Sequence, residues 1–216
     1  KYCVESGILN TFQNNTFFAI PSSGTPVVSS VINVTGAPAY LTDINVITNL
    51  THTFAADLDI TITSPAGTVV TLTTDNGGSN DNVFNGTVWD DDANPAGQVP
   101  YSNNSGLVTD RAYTNLVPAS ILVPEEALSA FIGENPNGAW TLTVSDDANS
   151  DGGSFNWSID IVSINNAPVS QLTSFTQNTP VAIANDAPVV VSSTINVAGL
   201  SKFITDVDVT TFITHE

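Results

Sequence analysis

The sequence predicts an all-β fold, an antiparallel β-sandwich or jelly roll followed by the opening strands of a second, repeated sandwich. Two observations predict the sandwich. Apolar residues recur with a period of two in short runs, and clusters of Asn, Asp, Gly, Pro and Ser separate those runs. A third predicts the repeat: residues 9–53 align without a gap on residues 172–216, and 20 of the 45 pairs are identical.

The elements follow in chain order. Strands are expected at 26–34 and 40–50, where Val and Ile alternate with polar residues. In DLDITITS, Leu58, Ile60 and Ile62 face one side while Asp59, Thr61 and Thr63 face the other. The tetrapeptide SPAG (64–67) makes a turn and TVVTLTT returns, forming a hairpin. Another strand is expected at 83–90, and PEEALSAFIG (124–133) suits one short helical turn. AWTLTVSD (139–146) and SFNWSIDIVSI (154–164) alternate like the first hairpin, joined by the loop DANSDGG. Residues 1–164 thus read as a complete sandwich, NNAPVSQ (165–171) as a linker, and 172–216 as the N-terminal part of a second copy. The start, KYCVESG, lacks an initiator Met, so a piece of a longer or processed chain is expected.

Residues 41–72 resemble the opening of the P domain, also called the Homo B domain. That domain follows the catalytic domain in kexin- and furin-like proprotein convertases and occurs in secreted bacterial proteases and surface proteins. The resemblance rests on His52-Thr53, Asp57-Leu58 and Ser64-Pro65-Ala66-Gly67-Thr68. It continues through GTVWDDDA (86–93), Gly138-Ala139-Trp140 and Trp157. It implies an eight-stranded jelly-roll sandwich that is not itself catalytic.

The 21 acidic and 3 basic residues give a net charge of −18, which repels phosphate backbones and anionic lipid. Nucleic acid and membrane insertion are therefore excluded as partners, and no apolar run approaches the length of a spanning helix. Cys3 is the only cysteine, so no internal disulfide forms. No enzyme is expected. His52 is the sole histidine of the complete copy, and no Gly-x-Ser-x-Gly elbow is present. His52 reads instead as a buried, hydrogen-bonded residue bracing the fold, and it recurs in frame at His215.

Calcium is the cofactor the acidic loops suggest. Asp147, Asn149 and Asp151 stand in a D-x-N-x-D-G loop, although position 12 is Ser158, so this is no EF-hand. Asp90, Asp91 and Asp92 place three carboxylates in a row, with Asp43 as a further candidate. The competing reading is that Asp, Asn and Gly simply make good turns. Trp140 and Trp157 read as core, while Trp89 and Tyr101 are candidates for an exposed binding surface.

The leading functional expectation is an extracellular structural or adhesive module of a secreted or cell-surface tandem-repeat protein. Its partners would be neighbouring repeats or chains in a homo-oligomer or fibre. The first alternative is the accessory P domain of a secreted subtilisin-like or metalloprotease. The second is a glycan-binding module.

Overall fold

The computed structural model describes residues 6–93, 106–169, 171–184, 190–200, 204 and 207–214. The chain divides into two units, Lys1–Ala167 and Pro168–Glu216. Tyr101, Cys3 and His215 lie outside the described residues.

The described residues of the first unit hold nine strands: β1 (Ile8–Ile20), β2 (Val27–Val34), β3 (Tyr40–His52), β4 (Leu58–Thr63), β5 (Val69–Thr74), β6 (Asn85–Trp89), β7 (Ile121–Leu122), β8 (Gly138–Asp146) and β9 (Gly153–Ile164). They form two sheets, β1-β9-β3-β6-β7 and β2-β8-β4-β5. Every pairing is antiparallel except β6 with β7. The period-two pattern sets which face is buried: Leu58, Ile60 and Ile62 on β4 and Trp140, Leu142 and Val144 on β8 are fully enclosed. From the other sheet come Leu41, Ile44, Val46 and Leu50 on β3 and Phe155, Trp157, Ile159 and Ile161 on β9. Each such aliphatic or aromatic side chain contributes about 1.5–3 kcal/mol by leaving water.

The structure departs from the sequence expectations at identifiable places. β1 was not expected, because Asn10 and Asn14 occupy half-buried registers while Ile8, Leu9 and Phe17 are exposed, which blurs the alternation. β7 has two residues, too few to show a pattern. The strand expected at 83–90 starts only at Asn85, since Asn82 has a φ of 60° and turns the chain. The helical turn is a 3-10 turn at Leu128–Phe131. The resemblance implied eight strands; the described residues have nine.

In the second unit, the described residues carry none of the expected opening strands. Its apolar side chains stand open, with Phe212 96% and Val209 78% exposed. In the first unit β1 and β3 pair with β9 and β2 pairs with β8.

Candidate functional site

Two acidic groupings arise from the topology. β6 runs beside β3 with Trp89 opposite Val46. The residues that follow Trp89 therefore emerge next to the start of β3, where Asp43 sits at an irregularity in the β3–β9 pairing. Asp43, Asp91 and Asp92, with Ile44, Leu128 and Ile132, wall a cavity of about 260 Å³. Partial burial pushes the Asp43 carboxyl above its ordinary range, and the charges of Asp90 and Asp92 add to the effect. Asp91 is already committed: its two oxygens accept the Leu128 and Ser129 N–H groups at 2.9 and 2.8 Å. This is an N-terminal cap for the 3-10 turn. Asp90 Oδ1 accepts the Asp92 N–H at 2.8 Å.

The second grouping lies at the β8–β9 loop. Asn149 Oδ1 accepts the Gly24 N–H at 2.8 Å, and Asp151 Oδ1 accepts from Thr53 Oγ1 at 2.9 Å. The Asp147 N–H donates to Asp57 O at 3.0 Å. These residues fasten the loop to two other segments. The glycines have a steric role: a Cβ on Gly153 would lie 1.7 Å from Thr51 O. Burial raises the Asp57 carboxyl above its ordinary range, reinforced by Asp151 and Asp146.

Near this loop His52 is buried and hydrogen-bonded, as its sequence context implied, and its partner is Asp146, which no motif marked. His52 and Asp146 are both buried, with His52 Nε2 3.2 Å from Asp146 Oδ2 and Nδ1 2.8 Å from Phe54 O. The signal was present in the alternation: Asp146 follows Trp140, Leu142 and Val144 in the inward register of β8, as His52 follows Leu50 on β3. Polar residues in inward registers need partners, and these two supply each other.

Among the described residues, no group of three or more His, Cys, Asp or Glu side chains is placed to hold a metal ion. Asp43 feels the charges of Asp90, Asp92 and Asp91, and Asp57 feels those of Asp151, Asp146 and Asp147, while Asn149 Oδ1 and Asp151 Oδ1 accept from Gly24 and Thr53. Trp89, expected at the surface, is fully buried, and its Nε1 donates to Thr48 Oγ1 at 3.0 Å. It is the last residue of β6 and takes the inward register there. Trp140 and Trp157 are core residues, donating to Pro136 O and Ser30 Oγ.

The family model of the proprotein convertase P-domain matches residues 41–161, more than half of the chain. The chain belongs to the proprotein convertase P-domain family. The match to this P domain runs from β3 to β9 and includes both acidic groupings. No curated protein matches the sequence. Two solved structures are similar, both from Aeromonas sobria. One is its serine protease, at 19% identity and a TM-score of 0.40, covering 73% of this chain. The other is that protease in complex with the chaperone ORF2, at 20% identity and a TM-score of 0.40, covering 72%. The P domain and its flanking residues span 27% of the length of each of those chains.

Proposed function

We propose that this P domain is a non-catalytic accessory domain of a secreted protease. The observation that carries the reading is the family match over residues 41–161. The polar chemistry of the described sandwich agrees with it: the two nitrogens of His52 already face Asp146 and Phe54, and Asp91 caps a backbone turn. Such groups stabilise a fold rather than wait for a substrate. The test is the parent protein. A subtilisin-like or zinc-protease catalytic domain is expected in the same polypeptide, and deleting residues 8–164 is expected to lower the yield of active protease. A parent made only of sandwiches overturns the reading.

The internal repeat, 20 identities in 45 positions, favours a second reading as an extracellular structural or adhesive module in a tandem array. The same parent sequence separates the two. Calcium binding is kept as a proposal for the cavity beside Asp43 and Asp92, where neighbouring carboxylates repel. A ligand confined to the native state stabilises it by about 2.7 kcal/mol at a hundredfold excess over Kd. Calcium is expected to raise the melting temperature and Asp43→Ala to blunt the rise; identical melting in calcium and in chelator removes the proposal.

A further inference from the structure

A sandwich of two open sheets has four edge strands, and each edge presents backbone groups that can pair with another chain. Among the described residues, β5 is covered, β7 is short and one carbonyl of β2 is engaged. Beside β5, the Thr71 N–H donates to Glu126 Oε2 at 2.7 Å and the Thr74 N–H to Glu125 Oε1 at 2.9 Å. The Glu125 and Glu126 N–H groups donate back to Leu72 O and Thr71 O. β7 is only two residues long. On β2, the Val31 carbonyl is taken by Asn14 Nδ2 at 3.1 Å.

β1 is different. It spans 13 residues and pairs only with β9. Its run Ile8–Asn14 is regular, with an irregularity only beyond Asn14. Among the described residues, no hydrogen bond outside that pairing engages the backbone of this run. Leu9, Thr11 and Gln13 are exposed, Leu9 by 61%. The strand ILNTFQNNTFFAI contains no Asp, Glu, Lys or Arg, and no Pro. In a chain of net charge −18 that neutrality matters. The β5 edge, by contrast, lies beside Glu125 and Glu126, whose carboxylates would repel a second copy. The nearby carboxylate of Asp160 on β9 is tied to Thr11 Oγ1 at 2.5 Å.

We propose that β1 is the docking edge for a second copy of this chain, the two β1 strands pairing antiparallel about a two-fold axis. The sheet β1-β9-β3-β6-β7 then continues across the axis into its copy. A two-fold axis at Thr11, the middle of the regular run, sets Thr11 against its own copy and Leu9 against Gln13. An isologous contact of this kind is self-complementary and closed. It goes beyond the accessory-domain reading and does not depend on it.

The test is sedimentation equilibrium of the 216-residue chain over a range of concentrations, in salt that screens the net charge. The mass is expected to rise with concentration from one copy to two. Leu9→Glu combined with Gln13→Glu places like charges directly opposite across the two-fold, a destabilising arrangement. This variant is expected to associate at least about tenfold more weakly, equivalent to about 1.4 kcal/mol. Val69→Glu, on the guarded β5 edge, is the control and is expected to associate like the parent chain. Circular dichroism and melting temperature check that both variants fold; a misfolded double variant is replaced by Thr11→Glu, read in the same way. A parent chain that stays at one copy at every concentration overturns the proposal. So does a folded β1 variant that associates like the parent, or loss of association in the Val69→Glu control.

Discussion

His52 and Asp146 show how one pair of side chains supports a sheet junction. Both are buried, so removing one leaves the other as a polar group without its partner in a dry interior. His52→Ala is expected to cost about 1–3 kcal/mol, the usual range for leaving a buried hydrogen-bonding group without its partner. Asp146→Asn keeps a hydrogen-bonding side chain there and is expected to cost less. Urea denaturation of the two variants checks the order; a His52→Ala cost below about 1 kcal/mol would mean the neighbouring backbone supports the loop without the ring. The tryptophans are placed by the same rule, since each buried indole N–H finds an acceptor in Thr48, Pro136 or Ser30.

Among the strands, the best-defined guard is on β5. The Glu125–Glu126 segment lies along it as a partial extra strand and supplies two carboxylates to its N–H groups. Glu126 is held below the ordinary glutamate range by the Thr71 N–H that it accepts. Replacing both residues by Ala removes the carboxylates and leaves the two strand amides open to water. Hydrogen exchange at Thr71 and Thr74 is expected to speed up, with little change in the central strands β3 and β9. Unchanged exchange at those two amides would show that the backbone contacts alone close the edge. The charge makes this segment readable only afterwards: in the sequence, PEEA looks like the start of a helix.

For the molecule as a whole, the carboxylates set the response to pH. Burial and like charges raise Asp43, Asp57 and Asp59 above the ordinary 3.8. A carboxyl raised in the fold favours its protonated form there. The stability it contributes is complete below 3.8 and is lost as pH rises through the raised folded value. Glu126 acts the other way: its contribution is present above its ordinary 4.5 and is lost as pH falls through its lowered value. As pH falls from neutral through the raised folded values toward 3.8, Asp43, Asp57 and Asp59 take up protons in the fold first, and the melting temperature is expected to rise. Asp43→Asn is expected to raise the melting temperature at neutral pH and to flatten this slope. Thermal melts from neutral pH down to 3.8 check it; a melting temperature that falls steadily over that range contradicts it.

The sequence by itself determined the faces. Alternation marked Leu58, Ile60 and Ile62 and Trp140, Leu142 and Val144 as one side of their strands, and the structure buries those six side chains. It also carried the family, because the motifs around His52, Ser64 and Trp140 are local in the chain. Only the tertiary structure decided the neighbours. A period of two reports which side a residue faces and not which strand lies beside it, since pairing is set by contacts far apart in the chain. The meeting of Asp43 with Asp90, of His52 with Asp146, and the inward turn of Trp89 all depend on such pairings. The same limit explains the acidic loop Asp147, Asn149 and Asp151. Its spacing is local in the chain, while the hydrogen-bond partners of Asn149 and Asp151, Gly24 and Thr53, lie 125 and 98 residues away.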